Sequence, residues 1–264
     1  MKLINKINTF IIYSIKKIFS EWKYKAIAKT YNLNGFQRVY LIHIRKTGGT
    51  SLNNMFLALS KDSKQLYNDL TKTIGHRIIC NNFIYVGWDK KNIEKGNYFY
   101  GFSHIPLYKL QLPKNTFTVS CFRDPAERVI SHYNMLIDYK KNNINHPCMA
   151  IEGQWLGDSF EDFIERIPQE HLLNQLYMFS SNFCIDEAMR SIKTLSYYFF
   201  NDDFEEGIKD INRITGLNLE QLHIRKSAHK TIISEQTLIR LKEKLSKEYQ
   251  LLELLRNHKK KGNT

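Results

Sequence analysis

The segment His43-Ile44-Arg45-Lys46-Thr47-Gly48-Gly49-Thr50-Ser51-Leu52 combines two cations, two glycines and three hydroxyl residues in eight positions, Arg45 to Leu52. Glycine permits positive φ and lets a ligand approach the backbone closely. Where such a turn runs into a helix, the free N–H groups at the helix start and the positive end of its dipole face an anion. Thr47, Thr50 and Ser51 add hydroxyl donors and Lys46 a point charge. The order differs from the GxxxxGK[ST] loop, in which the lysine follows the glycines and a hydroxyl holds Mg²⁺. A lysine ahead of a shorter loop fits one phosphate bearing a transferable group better than a metal-bridged triphosphate. A threonine-capped strand–helix turn with no ligand is the alternative for this segment alone.

A second candidate anion site is Phe122-Arg123-Asp124-Pro125-Ala126-Glu127-Arg128-Val129-Ile130-Ser131-His132-Tyr133. Proline suits a first helical turn, and Asp124 before it suits a cap. Arg123 offers a forked donor at a strand end, where ligands of open α/β sheets collect, and Ser131 offers a compact hydroxyl two turns on. Arg128 reads as a helix-surface residue pairing with Asp124 at i, i+4 spacing. His132 reads as a packed or exposed histidine without a catalytic role, and His43 as a core residue of a strand.

These segments need strands to end where the chemistry begins. Short apolar runs at Arg38–Ile44, Tyr98–His104, Thr116–Phe122 and Tyr197–Phe200 read as buried strands. Helical patterns run from about Gly49 to Leu59, Pro125 to Tyr139, Phe204 to Thr215 and Ser234 to Leu255. Helical spacing also marks Asp158–Arg166 and Ile185–Leu195. Strands alternating with helices predict an α/β fold with a parallel central sheet covered on both faces. Leu238, Leu241, Leu245 and Leu252 form the apolar stripe of the last helix.

The 264 residues suffice for one domain of this kind, with residues 1–30 as a basic amphipathic helix, 31–258 as the domain and 259–264 as a disordered tail. The amino-terminal apolar stretch is too short to span a bilayer. Residues 1–20 read as packing on the domain or resting on a membrane surface, and the chain as cytoplasmic. A formal charge of +13 favours anionic partners. Cys80, Cys121, Cys148 and Cys184 show no metal-ligand spacing, Cys121 reads as core, and no metal is expected.

Taken together, KTGGTSL and RDPxxRxxSxY resemble the sulfotransferase superfamily, most closely its carbohydrate O-sulfotransferases of the heparan-sulfate-modifying type. The resemblance covers Arg38 to Tyr139 strongly and the remainder loosely. It implies a single α/β domain related to nucleotide kinases, using 3′-phosphoadenylyl sulfate (PAPS) as donor and a glycan hydroxyl as acceptor. It further implies that Lys46, Thr47, Gly48, Gly49, Thr50 and Ser51 hold the 5′-phosphosulfate, with Lys46 neutralising the leaving oxygen. Arg123 and Ser131 would hold the 3′-phosphate. In Gly101-Phe102-Ser103-His104-Ile105-Pro106, His104 occupies the place of the family's general base, and an imidazole near its ordinary pKa of about 6.5 suits that role. Lys226 and Ser227 occupy the place of a later loop that closes over the donor. Arg45 departs from the family's usual proline or glutamine, and Lys140–Gln154 matches nothing in it.

Two other readings compete. A metal-dependent nucleotide kinase would need a lysine after the glycines, which is missing. A non-catalytic polyanion binder would follow from the charge and the aromatic content, with salt-dependent and nucleotide-indifferent binding. No nucleic-acid partner follows from the two-motif reading.

Overall fold

The computed structural model describes residues 19–60, 62–73, 75–220 and 231–262. Its centre is a six-stranded sheet in the order β2-β3-β4-β1-β5-β6. The strands are β1 (Arg38–Ile42), β2 (Arg77–Cys80), β3 (Phe83–Gly87), β4 (Tyr100–Ser103), β5 (Thr116–Phe122) and β6 (Tyr197–Phe200). β1 pairs in parallel with β4 on one side and β5 on the other, while β3 and β6 extend the parallel set outward.

The central sheet is parallel as expected, with one antiparallel strand added at its edge. β2 pairs antiparallel with β3 through a two-residue hairpin, with Ile78 opposite Tyr85. The link is Asn81-Asn82, and both residues have positive φ, 47° and 64°. Two left-handed central residues are what a tight hairpin requires, and asparagine tolerates that region.

Alternation along β1 divides the core. Val39 and Leu41 pack with α1 (Gly49–Ala58) and α2 (Ser63–Lys72) on one face. Tyr40 and Ile42 face α3 (Pro125–Lys141) and the carboxy-terminal helices on the other. Every β1 side chain is buried, so both faces must be covered. The α1-side cluster also takes Ile208 and Ile211 from a helix at Phe204–Thr215. Cys121 lies in that cluster as expected, and the four cysteines are free.

The carboxy-terminal helix expected over Ser234–Leu255 is two helices, Glu235–Lys244 and Ser246–Gly262. They meet at the buried Leu245, and the turn there sends Glu248 inward beneath Gln175. Leu241, Leu245 and Leu252 are buried as the stripe required. The tail expected to be disordered from residue 259 is helical to Gly262, with the Lys259 ammonium 5.5 Å from the Tyr197 ring centre.

At the other end, residues 19–28 are helical and pack on the domain. Tyr24, Ile27 and Ala28 join the core, and Glu21 forms ion pairs with Arg77 at 2.5 Å and Lys95 at 3.2 Å. Residues 1–18, and with them most of the expected amphipathic helix, lie outside the described residues. Among the described residues no helix is long and apolar enough to cross a membrane.

Candidate active site

The parallel strands end on one side of the sheet, and the sequence places polar residues directly after them. His43 to Ser51 follow β1, His104 follows β4, Arg123 follows β5 and Asn201 follows β6. The carboxyl end of an open α/β sheet is where such folds bind ligands.

The turn after β1 is built for close approach. Lys46 has φ 66° and Gly48 φ 102°, and Gly48 caps α1 with no side chain bonded to the first amides. The Ser51 amide donates to the Gly48 carbonyl at 2.9 Å, and the Gly49 and Thr50 amides ahead of it form the helix start that can face an anion. A β-carbon on Gly48 would meet the Asn201 amide nitrogen at 2.8 Å. That amide donates to the Thr47 carbonyl at 3.3 Å and ties the loop to the end of β6. The buried Thr47 hydroxyl donates to the Ile44 carbonyl at 3.1 Å and stabilises the turn. Thr50 is exposed and Ser51 half-buried.

Three cations converge here. Arg123 donates to the Lys46 carbonyl at 3.4 Å, which brings the two sequence motifs into contact. Burial, then the positive charges of Arg123 and Arg45, push the Lys46 ammonium down to about 8, with Asp138 and Cys148 opposing. A cation crowded by cations in a partly desolvated turn is stabilised by an arriving anion.

Asp124 is the cap that the sequence suggested, accepting from the Glu127 amide at 2.9 Å. The pairing expected between Arg128 and Asp124 does not form. Arg128 is fully buried, donates to the carbonyls of His171 and Leu172, and faces Glu248 at 3.8 Å. It is Arg123 that makes the i, i+4 pair, with Glu127 at 3.1 Å. Ser131 lies half-buried on α3, two turns beyond Arg123.

His104 sits beside this loop. Its Nδ1 lies 2.6 Å from the His43 carbonyl, an acceptor only, so Nδ1 carries the proton and Nε2 keeps its lone pair. Tyr40 and Ser103 pair through their hydroxyls at 2.7 Å, and Ser103 also accepts from the Ile105 amide at 3.0 Å. That arrangement fixes the turn holding His104. Burial and then Arg45 lower the His104 pKa to about 4, despite the raising effects of the His43 carbonyl and Glu152. The expected value near 6.5 is therefore corrected: burial keeps this imidazole neutral at all but acid pH.

A profile of the sulfotransferase family matches residues 29–259. The chain belongs to the sulfotransferase family. A comparison with curated proteins finds no match by sequence. Among solved structures, it is similar to retinol dehydratase in complex with androsterone and inactive cofactor PAP, at 14% identity and a TM-score of 0.34. That match covers 81% of this chain and 66% of the other, just under two thirds of its length.

The site of this family member has a further layer that its sequence did not announce. Arg45 is ion-paired to Glu152, whose other oxygen lies 2.7 Å from His132 Nε2. Burial raises the Glu152 carboxyl, but the His132 hydrogen bond and the Arg45 charge outweigh it and hold the group at about 2. His132 is thus packed, as expected, yet it anchors this buried link. Trp155 and His171 lie beside it, with ring centres 4.7 Å apart. Tyr67 stands edge-on to Trp88 at 5.7 Å, and it lies within electrostatic reach of Arg45 and Tyr139. Lys226 and Ser227 lie outside the described residues.

Proposed function

We propose that this protein transfers the sulfuryl group of PAPS to a hydroxyl of a carbohydrate acceptor. The observation that carries the reading is the meeting of an uncapped, lysine-bearing anion loop with a neutral imidazole whose Nε2 is unprotonated, at the ends of neighbouring parallel strands. Membership in the family supplies the reaction class.

The loop amides from Gly48 onward and the Lys46 ammonium would hold the 5′-phosphosulfate, and Arg123 with Ser131 the 3′-phosphate. His104 Nε2 accepts the proton of the acceptor hydroxyl as its oxygen bonds to sulfur. The sulfur–oxygen bond to the 5′-phosphate breaks on the opposite side, leaving adenosine 3′,5′-bisphosphate. Charge grows on the departing phosphate oxygen, where a fixed cation and backbone donors lower the barrier most. A positioned base contributes about a hundredfold or more to such a step.

The resemblance of KTGGTSL and RDPxxRxxSxY to glycan-modifying members supports a carbohydrate acceptor. Tyr67 and Tyr139, both within electrostatic reach of Arg45, would add amphipathic aromatic faces that suit a sugar ring. Incubation with sulfur-labelled PAPS and fractionated glycans tests this. Label in a glycan fraction is expected; label only in small alcohols or steroids would overturn the acceptor class.

A further inference from the structure

The His43 ring touches both halves of the proposed machinery. A β-carbon at Gly49 would lie 2.0 Å from its Cδ2 and 2.2 Å from its Nε2, so the ring rests against the backbone at the start of α1. On its other side it lies over the His104 ring, with centres 4.3 Å apart and planes tilted by 39°. Its main chain is equally engaged: the amide donates to the Ser103 carbonyl at 3.0 Å, and the carbonyl receives the His104 Nδ1 proton. Phe102, at 6.4 Å between centres, closes the remaining side.

We propose that His43 is the positioning residue of the base, a flat wedge between the phosphate loop and His104 that fixes the latter's distance from the bound donor. The proposal rests on the reading of His104 as base given above. Residue 43 adjoins the strand and is buried like a core residue, as its sequence context suggested, but its neighbours give the ring a second task. Its Nδ1 has no hydrogen-bond partner among the described residues, and the ring meets Gly49 and His104 by packing. Burial, with His104, Arg45 and Lys46 nearby, keeps it neutral, which avoids placing a charge against the base. A ring bearing on both the glycine turn and the base holds the two at a fixed separation. In-line transfer is sensitive to displacements of about 1 Å.

The test compares His43→Ala with His43→Phe in the full chain. Both keep the carbonyl that orders the His104 tautomer; only the second keeps the wedge. Three readouts are taken: kcat from labelled PAPS, affinity for adenosine 3′,5′-bisphosphate, and nitrogen-15 NMR titration of His104. The groups facing His104 besides His43 are Arg45, Glu152 and His171, and all remain in both variants. His43→Ala is expected to lower kcat at least tenfold with nucleotide affinity within twofold. Water entering the vacated space should also move the His104 titration upward and mix its tautomers. His43→Phe should restore kcat to within threefold of wild type and return the titration to its original position. Wild-type kcat and titration in His43→Ala would overturn the proposal, as would a Phe variant no better than the Ala variant. A wild-type protein that binds the nucleotide but transfers nothing would overturn the functional reading instead. The NMR comparison separates that failure from failure of the wedge.

Discussion

Arg123 and Gln175 clasp each other through reciprocal hydrogen bonds. The Arg123 amide donates to Gln175 Oε1 and Gln175 Nε2 donates to the Arg123 carbonyl, each at 2.9 Å. The clasp fixes the backbone at the end of β5 so that the Arg123 side chain can lean to the Lys46 carbonyl. Gln175 is held from below by Glu248, which accepts from its amide at 2.6 Å and faces the buried Arg128.

Removal of Glu248 should therefore cost stability and donor binding together. Glu248→Ala leaves the Arg128 guanidinium buried without its carboxylate, a change worth about 3–5 kcal/mol. Urea unfolding measures the loss. A midpoint within error of wild type would show that Glu248 contributes nothing to holding Arg128.

Gly49→Ala should impair transfer although alanine favours a helix start. The new methyl overlaps the His43 ring, at 2.0 Å from Cδ2. A drop in kcat of more than tenfold is expected. Combining it with His43→Ala should give less than the summed losses, because the clash disappears with the ring. Strict additivity in that cycle would contradict the contact.

Donor affinity should weaken in alkali. Lys46 sits at about 8 in the free protein, and an anion binds its protonated form. Below that value the ammonium is present and affinity is flat. Above it, affinity for adenosine 3′,5′-bisphosphate should fall by up to about tenfold per pH unit. Calorimetric titration from pH 6.5 to 9.5 reads this, and the slope should vanish in Lys46→Ala. A slope that persists in the variant would assign the proton elsewhere.

The acid limb of transfer reports His104. Because its pKa lies at about 4 in the free protein, the unprotonated base persists through neutrality, and kcat/KM should rise through about pH 4 and level off. His104→Ala should lower the plateau by about a hundredfold or more with donor affinity retained. A limb near 6.5, or a fully active variant, would remove His104 from this role.

The frame of this site was largely legible in the sequence, because its signals are local. The glycine turn after an apolar run, the Asp-Pro cap and the Ser103-His104 strand end each declare their structure within a few residues. The β2–β3 hairpin also left a trace, in Asn81-Asn82 between two apolar runs, that alternation of strands and helices overshadowed. What stayed hidden depends on contacts far apart in the chain. Glu152 reaches Arg45 across 107 residues and Gln175 reaches Glu248 across 73. Arg128 looked like a surface residue because its sequence neighbour Asp124 offered a partner, yet α3 turns its side chain inward. Such pairings have no period and no motif.

The central claim is a donor site for two phosphates, and calorimetric comparison of adenosine 3′,5′-bisphosphate, AMP and ATP tests it most directly. Wild-type protein should bind the bisphosphate at least tenfold more tightly than AMP or ATP, without magnesium, and Arg123→Ala should erase most of that preference. Equal affinity for the bisphosphate and AMP, or a magnesium-dependent preference for ATP, would contradict the account.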